Sequence, residues 1–75
     1  MLMRGSLPLV VFLDEYRLLQ REAGEMFGVT QGAISAMVRS GRECIVSEMK
    51  DEDTGSIQYL LEERREIGVG TLPQR

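Results

Sequence analysis

Gln31, Ser35 and Arg39 stand four residues apart, about one helical turn, so on a helix they share a face. Their chemistry is hydrogen bonding rather than catalysis. The Gln31 carboxamide both donates and accepts, which suits the N6 and N7 edge of adenine. Ser35, one turn further on, reaches a base or a phosphate. Arg39 admits two readings, a phosphate contact or an ordinary solvated face. Gln20 and Thr30 stand where helices are expected to begin, so their side chains or nearby backbone amides can bond phosphate. Thr30 serves equally well as a helix cap alone.

The segments that must position these groups are legible in the spacing. Residues 20–39 read as two short helices joined by a sharp turn, a helix-turn-helix. Gly24 is small enough for the second helix of the pair to come close. Gly28 supplies the positive φ of a tight turn. Val29, Ile34 and Met37 then form an apolar set that holds the two helices at a fixed angle. The first of them is expected over Gln20–Phe27, with Ala23, Met26 and Phe27 inward and Arg21, Glu22 and Glu25 outward. The two glutamates point sideways or pair with Arg21 and Arg39. The second helix is expected over Gln31–Ser40, with the Thr30 hydroxyl accepting from the amide of Gly32 or Ala33 and Gly41 as its stop.

Upstream, Leu9, Phe12, Leu13 and Tyr16 recur at i, i+3, i+4 and i+7, one face of an amphipathic helix. Pro8 is tolerated in its first turn, Ser6 is the expected cap, and residues 2–7 are expected as a short edge strand. Downstream, Cys44–Met49 and Ile57–Leu61 read as two strands of a β-hairpin around the polar loop Lys50–Ser56. Residues 67–75, with Gly68, Gly70 and Pro73 and no period, read as an extended tail after a domain spanning 1–66. The fold class is α+β: three N-terminal helices containing a helix-turn-helix, then a β-hairpin that forms a small antiparallel sheet with the N-terminal strand.

Bulk properties bound the function. Seventy-five residues, 43% hydrophobic and 28% charged, make one globular domain with a thin core, the kind that gains stability by dimerising. A single cysteine, Cys44, excludes an intrachain disulfide and suits a reducing cytoplasm; in a strand it is most simply a small core residue. The apolar run Leu7–Leu13 is too short to span a bilayer, so neither a signal peptide nor a membrane anchor is expected. The net charge of −3 opposes phosphate binding, but it is unevenly spread. Residues 1–42 carry five arginines against four acids. Residues 43–66 carry Lys50, Arg64 and Arg65 against eight acids. A binding face can therefore be locally positive.

An enzyme is not expected. The chain has no histidine, the commonest general base. One cysteine cannot build a zinc site, and no glycine-rich phosphate loop is present. Asp51-Glu52-Asp53 resembles a calcium loop only loosely and reads as a solvated turn. No cofactor, metal or small-molecule ligand is expected.

The segment Gly28-Val29-Thr30-Gln31-Gly32-Ala33-Ile34, with Gly41-Arg42 followed directly by a strand and no fourth helix, resembles the Cro-like phage repressors over roughly residues 8–63. The resemblance implies a homodimer on a pseudo-palindromic operator, with half-sites about one helical turn apart. It places the third helix in the major groove of double-stranded DNA, in the cytoplasm of a bacterial host and associated with its nucleoid. It implies that Arg42 contacts phosphate or guanine. Gly32 and Ala36 fall where the family often has contacting side chains. Either the backbone comes close there, with Ala36 against a thymine methyl, or the two positions carry no readout. The family's last strand pairs with its copy in a second subunit. That implies a dimer contact near Tyr59–Glu63 involving Tyr59 and Leu61, with Ile67 or Val69 packing on the partner. The longer segment between the first two helices and the missing basic tail depart from the family. Two rival readings stay open: a DNA-binding antitoxin, and a protein-interaction module whose acidic hairpin takes a basic partner.

Overall fold

The computed structural model describes residues 2–40 and 43–73. In chain order the elements are β1 (Leu2–Pro8), α1 (Leu9–Glu15), α2 (Gln20–Phe27), α3 (Gln31–Arg39), β2 (Ile45–Lys50), β3 (Ile57–Glu63) and β4 (Arg65–Gly70). The strands form one antiparallel sheet in the order β1-β2-β3-β4. The architecture is the expected α+β, enlarged by one strand.

Helix α1 starts where Pro8, at φ −55°, ends the strand without needing a hydrogen-bond partner for its nitrogen. The Leu9 amide donates to the Cys44 carbonyl at 2.8 Å, which ties the helix start to the chain just before β2. Leu9 and Phe12 turn inward. Phe12 is the hub of an aromatic cluster, with ring centroids 5.0 Å from Tyr16, 5.2 Å from Tyr59 and 6.1 Å from Phe27. Leu18, Ala23, Ile34, Met37, Cys44, Val46 and Leu61 complete the core around it. The β2–β3 loop closes on itself: the Asp51 amide donates to the Ser56 carbonyl at 2.9 Å, and the Asp51 carboxylate accepts from the Asp53 amide at 2.9 Å. Asp51 thus acts as a turn cap, and Glu52 and Asp53 are exposed.

Two expectations change. Ser6 does not cap α1. It lies in β1, and its hydroxyl meets that of Ser47 at 3.0 Å across the β1–β2 pair. Residues 67–70, expected in the tail, belong to β4. The chain reverses at Arg64, whose φ of 65° makes the tight turn. Leu60 then pairs with Val69 and Leu61 with Gly68, and a register shift between Leu61 and Glu62 absorbs the tightness. Strand β3 is consequently internal and not a free edge for a second subunit. Tyr59 and Leu61, expected at a dimer contact, are buried in the protomer's own core, and Ile67 packs against that same core. The reason for both is period 2. Tyr59 and Leu61 sit on the face that Phe12 and the helices cover, and only a strand's edge can offer backbone to a partner. Gly41 and Arg42 lie outside the described residues.

Burial of Tyr59, followed by its hydrogen bond to Tyr16 and the charges of Tyr16 and Glu48, pushes its phenol well above the ordinary tyrosine value. The folded pKa is therefore above the unfolded one. This group's contribution to stability is complete below about pH 10, the unfolded value, and is lost as pH climbs toward the folded one. Denaturation across the alkaline range should show stability falling above that point, and the fall should be shallower in Tyr59→Phe. Equal slopes for the two proteins would refute the assignment.

Candidate nucleic-acid interface

The two helices of the helix-turn-helix are locked by backbone contacts that only small residues permit. Gly28 adopts φ 72°, and the Val29 amide donates to the Gly24 carbonyl at 2.9 Å. A Cβ on Gly24 would stand 2.8 Å from the Val29 carbonyl oxygen and 3.2 Å from the Gln31 nitrogen. The start of α3 thus rests directly on α2. Both glycines do what the sequence requires of them: one turns the chain, the other removes the methyl that would separate the helices.

The Thr30 hydroxyl accepts from the Ala33 amide at 3.0 Å, so Thr30 caps α3 as its spacing suggests. Ile34 and Met37 are buried beneath the helix. Period 3.6 then turns Gln31, Gly32 and Arg39 to solvent, with Ser35 and Ala36 half-buried on the same side. The structure brings these five positions together as one outward face. Arg39 stands in the last turn of α3, where a cation also complements the helix dipole. Arg42 falls outside the described residues.

Gln20 is half-buried at the first position of α2. It lines an open cleft of about 410 Å³ together with Leu19, Arg21 and Gln31. The cleft therefore joins the N-terminal ends of both helices. Arg21 was not among the residues singled out for binding. Its signal was its place, beside Gln20 in the first turn of α2, on the outward side of that helix. Glu22 does not point sideways: one of its carboxylate oxygens turns back to accept from the Leu19 amide at 2.9 Å. That contact satisfies one free donor at the helix start. Glu25 is exposed.

An outward helix pinned by its capping threonine, a glycine turn behind it, and a sheet rather than a fourth helix after it make a specific combination. The family model for Cro matches residues 3–69. The chain belongs to the Cro family. It is accordingly a Cro-like DNA-binding regulator, with a helix-turn-helix built from α2 and α3. The match runs from β1 into β4, beyond the 8–63 stretch that carries the motif. No curated protein and no solved structure gives a significant match. Among the described residues, no helix of this Cro-family protein is long and apolar enough to cross a membrane.

Proposed function

We propose that this Cro-family protein is a sequence-specific transcriptional repressor. It binds a pseudo-palindromic operator as a homodimer in the cytoplasm of a bacterial host, and acts by occupying promoter DNA that polymerase needs. The observation that carries this reading is the outward face of α3, on which Gln31, Gly32 and Arg39 are exposed and Ser35 and Ala36 half-buried. Gln31 reads adenine, Ser35 bonds a base or phosphate, and Arg39, Arg42, Gln20 and the amides near Thr30 hold the backbone. Gly32 and Ala36 add little hydrogen bonding, so DNA shape contributes to selectivity. With a net charge of −3, affinity is modest and falls steeply with salt.

The dimer needs a route that respects β4. Exchange of β4 between two copies supplies one. Arg64 holds a positive φ in a tight turn, and like charges face each other at Glu62 and Glu66, which weakens the closed hairpin. Opened at Arg64, β4 would pair with the partner's β3 and carry Ile67 onto the partner's core, where Tyr59 and Leu61 receive it.

Selection of bound sequences from random duplex DNA tests the whole reading. A palindromic consensus is the expected result, and recovery of no consensus rejects it. On the selected operator, Gln31→Ala is expected to weaken specific binding by about 1–3 kcal/mol and leave non-specific binding unchanged. An unaltered ratio between the two, measured by titration at fixed salt, removes Gln31 from the readout.

A further inference from the structure

Leu19 has no role in the reading above. At 56% it is the most exposed large apolar side chain among the described residues. It also occupies the N-cap of α2, a position that favours Ser, Thr, Asp or Asn because their side chains can bond the free amides. Leucine gives up that bond, and Glu22 compensates by accepting from the Leu19 amide. The Leu19 carbonyl accepts from the Ala23 amide at 3.0 Å. Both main-chain groups are thus engaged, and the backbone is held at φ −74°, ψ 153°. Single exposed leucines are common and need no explanation by themselves. This one shares its cleft with Gln20, Arg21 and Gln31, on the very side where the helix-turn-helix meets DNA. A residue that breaks the local capping preference beside a binding group is the pattern expected of a functional position.

The cleft offers a carboxamide and an aliphatic surface side by side. An A·T pair offers the matching edge in the major groove: adenine N6 and N7 for the amide, and the thymine 5-methyl for the apolar group. We propose that Leu19 is a specificity-determining residue that covers the 5-methyl of a thymine in the pair read by Gln31 or the pair next to it. The leucine, exposed in the free protein, is then desolvated together with the methyl, and an operator lacking that methyl loses the contact while keeping every hydrogen bond.

This inference rests on α2 and α3 facing DNA, so its test must separate the two claims. Each thymine of the selected operator is replaced in turn by uracil, which removes the methyl alone. For the unaltered protein, one uracil position per half-site should weaken binding about three- to tenfold. In Leu19→Ala that position should become indifferent to uracil, while Leu19→Met, which keeps an apolar reach, should retain the penalty. The uracil scan on the unaltered protein stands even if a variant folds poorly. Specific binding that tolerates uracil at every position overturns the role of Leu19 and leaves the operator-binding reading intact. A penalty of equal size in Leu19→Ala overturns it as well. Failure to bind any duplex specifically overturns both.

Discussion

Phe12→Ala is expected to cost about 3–5 kcal/mol of folding stability, much of what a domain of this size possesses. Phe12 is 1% exposed and its ring touches those of Tyr16, Phe27 and Tyr59. It is therefore the point where α1, α2 and β3 meet. Truncation leaves a void bounded by three aromatic rings and a sheet, none of which can close over it without moving an element. Urea unfolding should show the midpoint falling with an unchanged slope. DNA binding should fall only in proportion to the folded fraction, because Phe12 positions α2 through Phe27 and touches none of the candidate contacts. A loss below about 1 kcal/mol would mean that the cluster is not the centre of the core.

The second large effect concerns β4. A Cβ on Gly68 would overlap the Phe27 carbonyl oxygen, and one on Gly70 would overlap that of Met26. These are main-chain atoms at the end of α2 and cannot swing aside as a flexible side chain does. Gly68→Ala or Gly70→Ala should therefore lift β4 off α2, at a cost of about 1–3 kcal/mol or more. The outer edge of β3 would then be open to pairing with other chains. Two measurements check this: faster hydrogen exchange at β3 amides facing β4, and a rise in sedimentation coefficient with concentration beyond that of the unaltered protein. Gly5→Ala is the control, since no atom lies within 4 Å of a Cβ there. Native exchange rates in both β4 variants would show that the strand does not rest on α2.

The helix-turn-helix was legible because its determinants are local. Gly24, Gly28 and Thr30 each act on atoms within seven residues of themselves, and spacing alone carries such information. The strand β4 was not legible, because its two glycines looked like breakers. A glycine selected for flexibility and one selected to let a distant carbonyl approach are identical in sequence. Ser6 misled for a related reason. A serine before a helix is a good cap on local grounds, and only the register of β1 on β2 delivers it to Ser47 instead.

For the candidate site, the outward direction of Gln31, Ser35 and Arg39 followed from period 3.6 once Ile34 and Met37 were taken as core. The cleft that adds Leu19 and Arg21 did not, since it arises from the approach of two helix starts separated by eleven residues. What covers Tyr59 and Leu61 was not legible, for a topological reason. Their apolar character marked them for burial, but burial against what depends on whether β3 is an edge or an interior strand.

The residue order by itself determined three helices, a hairpin, the turn between α2 and α3, and which face of α3 is left to solvent, because hydrophobic period and capping act over one or two turns. The tertiary structure alone decided that the chain folds a fourth strand over its own sheet and that an exposed leucine sits beside Gln31. Those outcomes depend on contacts between atoms distant in sequence or on side-chain direction, for which short-range spacing holds no record.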